Sequence, residues 1–170
     1  MRGEIKEAFF IRHAKSSWDN ANISDIERPL NDRGHDIAPK MASFIQSIFN
    51  LSKLEIISSP AKRARSTARY FADRFGMDKS DIIIDDNLYY GSEWDYLKCL
   101  QVLHENAKAV FVFGHNPTIE LVVSKLDNPY HGLVPTCAVF HTQLKTKTWN
   151  VNQFNELKLV NHYFPKVVLT

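Results

Sequence analysis

The sequence predicts an α/β fold, a three-layer α/β/α sandwich around a mostly parallel mixed sheet. Short runs rich in β-branched and aromatic residues, typical of buried strands, alternate with longer segments of helical period. Such alternation favours a parallel sheet covered by helices on both faces. At 170 residues, with 44% hydrophobic and 24% charged residues, the chain has the size and composition of one globular domain, which we place over residues 1–170.

The predicted strands are short apolar runs. Four of them are strong and lie at residues 8–12, 54–58, 109–113 and 137–144. A weaker run covers residues 82–84, and the runs at 149–154 and 157–164 are expected to add antiparallel edge strands. The sheet is therefore expected to be parallel in its middle and mixed at one edge.

Four segments between these strands carry an apolar stripe on one helical face. Their apolar positions are Ile37, Met41, Phe44, Ile45 and Ile48, then Ala61, Ala64, Ala68, Phe71 and Phe75, then Leu97, Leu100 and Leu103, and finally Ile119, Val122, Val123 and Leu126. Ser59 and Gly76 mark the start and end of the second helix, Ser92 caps the third, and Asn116 opens the fourth.

Composition argues against several classes of protein. The net charge of +2 gives no reason to expect nucleic acid or an acidic membrane as a partner. No apolar run is long enough to cross a membrane, and charged residues interrupt the N-terminal segment where a signal peptide would need its apolar core. Cys99 and Cys137 have no metal-binding spacing and are expected to be buried thiols. We therefore expect a cytoplasmic, monomeric protein without a metal or cofactor.

Reactive and cationic residues follow three of the predicted strands. Arg12 and His13 end the first, Arg63 lies in the helix that follows the second, and His115 follows the run at 109–113. Because the carboxyl ends of parallel strands meet at one edge of a sheet, two histidines and at least two arginines should converge there. Guanidinium groups match phosphate oxygens, and a neutral imidazole can attack phosphorus to form a covalent intermediate. The sequence therefore predicts a phosphoryl site.

The same segments carry a family resemblance. Residues 10–14 (FIRHA), 58–68 (SSPAKRARSTA) and 114–117 (GHNP) resemble the three signatures of the histidine phosphatase superfamily, with Ala14 in the place of the usual glycine. Residues 12–18 (RHAKSSW), 27–34 (ERPLNDRG) and 134–139 (VPTCAV) further resemble the SixA-type phosphohistidine phosphatases. The resemblance runs in order over residues 9–149 and implies a phosphoglycerate mutase-like fold.

The resemblance also implies roles for individual residues. It makes His13 the nucleophile, Arg12 and Arg63 the phosphate clamps, and His115 a second histidine of the phosphate pocket. Members that cleave phosphate esters carry a glutamate that protonates the leaving alkoxide, and here Tyr90 takes that place. General acid help of this kind accelerates a reaction about 10²–10⁴-fold. Its loss favours phosphohistidine as the substrate, because imidazole leaves more readily, although Glu93 or Asp19 could supply the acid from a loop.

Some assignments stay open at this stage. Arg28 has a substrate-binding or a purely structural role, and Arg65 reads mainly as a solvated charge. Lys15, Ser16 and Trp18 are expected to shape the loop over the site, and Gly34 to serve a turn. The predicted function is a phosphatase acting on phosphohistidine in a phosphorelay protein. The alternatives are a small-molecule phosphomonoesterase or phosphoramidase and, from another class, a phosphate-binding module without turnover.

Overall fold

A six-stranded mixed sheet forms the centre of the protein. The computed structural model describes residues 3–170. Its strands are β1 (Ile5–Arg12), β2 (Leu54–Ser58), β3 (Ile83–Ile84), β4 (Ala109–Gly114), β5 (Val139–Lys145) and β6 (Lys158–Tyr163). Their order across the sheet is β3-β2-β4-β1-β5-β6, with β1 to β4 mutually parallel where they pair and β5 antiparallel to both β1 and β6. The predicted mixed sheet is confirmed.

Helices cover both faces of the sheet, as a three-layer sandwich requires. They are α1 (Asp32–Ile48), α2 (Lys62–Arg74), α3 (Asn87–Tyr90), α4 (Glu93–Lys98), α5 (Thr118–Lys125) and α6 (Pro165–Val168). Because side chains alternate along a strand, Phe9 packs with α1 and α2 on one face while Phe10 packs with α4 and α5 on the other. Both phenylalanines are fully buried, so the fold rests on two apolar cores, one on each side of the sheet.

The predicted strands at residues 137–144 and 149–154 differ most from the structure. The fifth strand begins at Val139, not at Cys137, because the backbone of Cys137 adopts a positive φ of 61° that breaks the extended run. Residues 149–154 form no strand: Trp149 and Phe154 are buried side chains that pack into the core beside α4 and α5. The Trp149 indole Nε1–H donates to the carbonyl of Ala107 at 3.1 Å, which fixes this segment without strand pairing.

The predicted start of the second helix is also wrong. Helix α2 begins at Lys62 with Ala61 as its N-cap, and the hydroxyl of Ser59 instead contacts a ring nitrogen of His115 at 2.8 Å. The predicted end is confirmed, because Gly76 adopts a φ of 68° just after the helix. Ser92 is the N-cap of α4, where its backbone N–H donates to the Asp95 carboxylate at 2.7 Å.

Gly34 lies inside the first turn of α1 and not in a turn before it. A Cβ atom at this position would stand 2.2 Å from the carbonyl oxygen of Lys15. The glycine therefore lets α1 approach the loop that follows β1 more closely than any other residue would. This contact joins the helix directly to the segment that carries the histidine after β1.

Candidate active site

The three strand ends that the sequence singles out are neighbours in the sheet. Strand β4 lies between β1 and β2, with Arg12 opposite Gly114 and Ser58 opposite Phe113. The backbone N–H of His13 continues this pairing by donating to the carbonyl of Gly114 at 3.1 Å. The chain segments that leave these strands therefore open into one cleft of about 480 Å³ at the carboxyl edge of the parallel strands.

His13 lies at the bottom of this cleft and is only 7% exposed. Its Nδ1 is 2.7 Å from the carbonyl oxygen of Ala14. Since a carbonyl can only accept a hydrogen bond, Nδ1 carries the proton and Nε2 keeps its lone pair. Burial, together with the nearby His115 and Arg63, lowers the pKa of His13 to about 3. The imidazole is therefore neutral at physiological pH, in the tautomer that presents Nε2 as a nucleophile.

Arg63 points its guanidinium at the same nitrogen of His13. Its Nε–H donates toward His13 Nε2 at 3.3 Å, and its other two nitrogens bind the carbonyl and the carboxylate of Asp25 at 2.7 and 3.0 Å. The side chain comes from the first turn of α2 and is 5% exposed. A buried guanidinium beside a nucleophilic nitrogen suits a tetrahedral anion held at the point of attack.

Arg12 enters the cleft from the end of β1. One of its terminal nitrogens donates to the carbonyl of Val134 at 2.7 Å, which fixes the direction of the side chain. Its Nε is buried and has no partner within residues 3–170. A buried donor without a partner costs free energy, so an anion in the cleft that accepted this hydrogen would stabilise the site.

His115 faces His13 across the cleft, with ring centroids 5.1 Å apart. Its Nε2 lies 2.8 Å from the hydroxyl of Ser59, and its backbone N–H donates to the hydroxyl of Tyr96 at 3.0 Å. Burial, followed by the charge of Arg63, lowers the pKa of His115 to about 4. His115 is therefore also neutral, and the Ser59 contact fixes its ring orientation.

Arg28 also lines the cleft and is 8% exposed. It donates to the Asp25 carboxylate at 3.0 Å and to the Ser16 hydroxyl at 2.8 Å. The indole of Trp18 covers its guanidinium at 3.5 Å. Arg65, in contrast, is not among the residues that line the cleft.

Sequence reasoning missed two residues of the site, Asp25 and Tyr89. The Asp25 carboxylate accepts a hydrogen bond from the hydroxyl of Tyr89 at 2.5 Å and also binds Arg28 and Arg63. The Tyr89 bond, followed by the two guanidinium groups, lowers the pKa of Asp25 to about 2. Burial and the Asp25 carboxylate raise the pKa of Tyr89 to about 12. The one signal in the sequence was the i,i+3 spacing of Asp25 and Arg28, which is typical of an ion pair and concerns Asp25 but not Tyr89.

Tyr90, which takes the place of the acid, and the two alternative donors Glu93 and Asp19 lie in different places. Tyr90 is 86% exposed at the rim of the cleft, next to Tyr89. Glu93 does not line the cleft and forms an ion pair with Lys125, a contact that lowers its pKa. Asp19 also lies outside the cleft lining. Neither Glu93 nor Asp19 is placed to protonate a leaving group in this conformation.

Three further features of the chain are its candidate metal ligands, its two cysteines and the length of its apolar helices. Within residues 3–170 there is no group of three or more His, Cys, Asp or Glu side chains that could hold a metal ion. Cys99 and Cys137 are separate buried thiols. No helix in this part of the chain is long and apolar enough to span a membrane.

The sequence matches a known protein family. The model of the histidine phosphatase superfamily (branch 1) matches residues 8–109, more than half of the sequence. The chain belongs to that superfamily. An uncharacterized chloroplastic protein of Arabidopsis thaliana is 39% identical over 64 residues. That match spans 38% of this chain and only 29% of the relative.

Solved structures resemble the whole fold. The putative phosphohistidine phosphatase SixA from Agrobacterium tumefaciens has a TM-score of 0.72 at 23% identity, over 94% of this chain and 98% of its own. A protein histidine phosphatase SixA complexed with tungstate has a TM-score of 0.77 at 23% identity, over 95% and 98%. Phosphoglycerate mutase from Bacillus anthracis has a TM-score of 0.59 at 13% identity, over 86% and 91%. The fold is therefore SixA-like and phosphoglycerate mutase-like.

Proposed function

We propose that this phosphatase hydrolyses phosphohistidine in a protein through a covalent phosphoryl intermediate on His13. The observation that carries the proposal is a neutral, oriented nucleophile in a cationic cleft without a protonated carboxyl group. Asp25 is the one Asp or Glu among the cleft-lining residues within 3–170, and its low pKa keeps it ionised.

The phosphoryl group would bind between Arg12, Arg63, Arg28 and His115. The three guanidinium groups supply N–H donors that cannot lose their charge at physiological pH. Each charge-assisted hydrogen bond contributes about 1.5–3 kcal/mol. Hydrogen bonds to Val134 and Asp25 already fix the side chains of Arg12 and Arg63. These side chains therefore lose little conformational entropy when the phosphoryl group binds.

In the first step the lone pair on His13 Nε2 attacks phosphorus. The phosphorus–nitrogen bond of the substrate breaks, and its electron pair returns to the leaving imidazole. The Nδ1–H of His13 stays bound to the Ala14 carbonyl and stabilises the positive charge that develops on the ring. Arg63 lies beside the attacked phosphoryl group, where it balances the negative charge on the oxygens.

The leaving group explains why the cleft can function without a general acid. A phosphorylated imidazole that carries a proton on its other ring nitrogen leaves as neutral imidazole. An alkoxide from a phosphate ester has no such second nitrogen and needs a proton from the enzyme. Asp25, with a pKa of about 2, is a poor proton donor at neutral pH. We assign it instead to positioning Arg28 and Arg63.

In the second step water attacks the phosphoryl group on His13. The new phosphorus–oxygen bond replaces the phosphorus–nitrogen bond, whose electron pair returns to Nε2. Both water protons leave on dihydrogen phosphate, and His13 regains its neutral form with the proton on Nδ1. The cleft is open to solvent, so water reaches the phosphorus from the side that the departed imidazole occupied. The exposed rim residues Trp18 and Tyr90 favour a macromolecular substrate over an enclosed metabolite.

A comparison of substrates tests this proposal. We expect kcat/KM for a phosphohistidine peptide to exceed that for a matched phosphoserine peptide by at least about 100-fold, the value of the missing acid. Equal or faster turnover of the phosphoserine peptide would contradict the phosphohistidine assignment. The assay is release of inorganic phosphate at neutral pH.

The Asp25→Asn variant separates positioning from proton donation. If Asp25 only positions the arginines, the variant should lose about 10-fold in kcat/KM on both peptides, equivalent to about 1.4 kcal/mol. Selective loss of phosphoserine turnover would instead identify Asp25 as the acid. Tyr89→Phe, which removes one hydrogen bond and leaves both ion pairs, serves as the matched control.

A further inference from the structure

A second cavity, named here the side pocket, lies beside the catalytic cleft. It has a volume of about 180 Å³, and its apolar wall consists of Ile37, Pro135, Phe164, Pro165 and Val167. These residues come from α1, from the loop before β5 and from the chain around α6. A cavity of about 150 Å³ accommodates benzene, so the side pocket has room for one large apolar side chain.

The side pocket and the catalytic cleft are contiguous. Lys15 and Thr136 line both of them. The backbone between them is firmly held, because the N–H of Cys137 lies 3.1 Å from the carbonyls of both Arg12 and His13. A ligand whose phosphoryl group lies at His13 can therefore reach the side pocket along one continuous surface.

Three cations surround the side pocket. Lys15, Arg33 and Lys166 are exposed, and none of them forms a hydrogen bond or ion pair with its side chain in the part of the chain that the structure describes. No Asp or Glu lies among the described residues of the lining. Three unpaired charges of one sign create a positive potential that favours an acidic partner and disfavours a basic one.

Each of the two cavities also has an exposed apolar side chain. Val167 is 70% exposed at the side pocket, and Trp18 is 76% exposed at the cleft. Large apolar side chains next to cations suit a partner that presents an aliphatic or aromatic residue among carboxylates.

We infer that the side pocket is a docking subsite that binds an apolar side chain, flanked by acidic residues, of the protein that carries the phosphohistidine. This inference rests on the proposed function, since it names the surface of the substrate that surrounds the phosphoryl group. The subsite explains how a chemically simple cleft selects one phosphorylated protein among many: selectivity comes from the neighbouring sequence, not from the phosphoryl group.

Binding of an unphosphorylated peptide tests the subsite without any hydrolysis. The probe is a fluorescein-labelled peptide with a central histidine and a neighbouring leucine between glutamates, compared with the same peptide carrying lysines. Fluorescence anisotropy should show saturable binding of the acidic peptide only. The double variant Arg33→Glu/Lys166→Glu should weaken this binding by at least about 10-fold, because it reverses two of the three charges.

Two further variants show whether the effect belongs to this surface. Val167→Asp should also weaken binding, since it places a carboxylate at the apolar wall. Lys98→Glu, a charge reversal at an exposed position of α4 outside the side pocket, should leave binding unchanged. Equal binding of both peptides, or equal loss in Lys98→Glu, would overturn the inference. Binding to phosphatidylserine vesicles that responds to the same variants, without peptide selection, would overturn it in favour of a membrane surface.

Kinetics separates this inference from the proposed function. With phosphohistidine versions of the two peptides, the wild type should prefer the acidic one, and the double variant should lose that preference. Turnover of the small substrate phosphoramidate should be unchanged in the double variant, because Arg33 and Lys166 do not line the catalytic cleft. If neither phosphopeptide is hydrolysed but the anisotropy pattern holds, the subsite stands and only the proposed function fails.

Discussion

His13 owes its nucleophilic form to two features of its surroundings. The Ala14 carbonyl fixes the proton on Nδ1, and burial beside His115 and Arg63 keeps the ring neutral. A neutral attacking imidazole needs an acceptor for its other N–H, and the Ala14 carbonyl is that acceptor. This carbonyl belongs to the next residue along the chain. The rotamer of the His13 side chain therefore fixes which ring nitrogen carries the proton.

The pH dependence of His13 follows from its low pKa. In the unfolded chain His13 takes up a proton near pH 6.5, whereas in the folded protein it does so only near pH 3. The free energy of unfolding should therefore fall as the pH is lowered through this window. Heteronuclear NMR of the imidazole nitrogens should show a neutral His13 down to about pH 4. Titration of His13 near pH 6.5 would contradict the assigned environment.

At the scale of elements, three strand ends and two helices position the site. Strands β1, β2 and β4 place His13, the α2 start and His115 at one edge, and α1 packs against the loop after β1. Gly34 is the point of closest approach between that loop and α1. We therefore expect the position of His13 to depend on Gly34, a residue that does not line the cleft.

The Gly34→Ala variant tests this dependence. Its Cβ would meet the Lys15 carbonyl at 2.2 Å, and overpacking of this kind costs about 1–3 kcal/mol. Alanine gains about 1 kcal/mol over glycine in a helix, which offsets part of that cost. We expect a lower thermal midpoint together with a lower kcat/KM. Lys40→Ala on the exposed side of α1 is the control, and an unchanged kcat/KM in Gly34→Ala would refute the coupling.

The sequence predicted the elements that carry the site better than the contacts between them. Strand ends are visible as apolar runs that stop at Arg12 or Gly114, and parallel pairing then brings those ends together. Asp25 was missed because it lies on a one-turn 3₁₀ helix without a periodic pattern. Its partners Arg63 and Tyr89 are distant along the chain, and a single sequence carries no signal for such pairs.

At the scale of the whole molecule, the cationic cleft should couple anion binding to stability. Tungstate or phosphate at 100 times its dissociation constant should add about 2.7 kcal/mol to the free energy of unfolding. For a domain of this size that raises the thermal midpoint by about 5–10 °C. Arg12→Gln should abolish most of the shift, since it removes one cation from the cleft. A thermal-shift assay in which both proteins respond equally would place the anion elsewhere.

The catalytic cleft and the side pocket differ in the chemistry of their linings. The cleft presents fixed cationic side chains, and the side pocket adds an apolar surface among unpaired cations. Since the two share Lys15 and Thr136, the proposed sites of reaction and substrate selection lie on one continuous face of the protein. The remainder of the fold supports this face through the two cores on either side of the sheet.

We propose that His13 becomes phosphorylated during turnover. Single-turnover reaction with a phosphohistidine peptide, quenched in alkali within milliseconds and followed by mass spectrometry, measures this directly. We expect one phosphoryl group on His13 that appears before inorganic phosphate, and none in a folded His13→Ala variant. His115→Ala should still form the intermediate, more slowly. A phosphoryl group on another residue, or full activity of His13→Ala, would contradict the account.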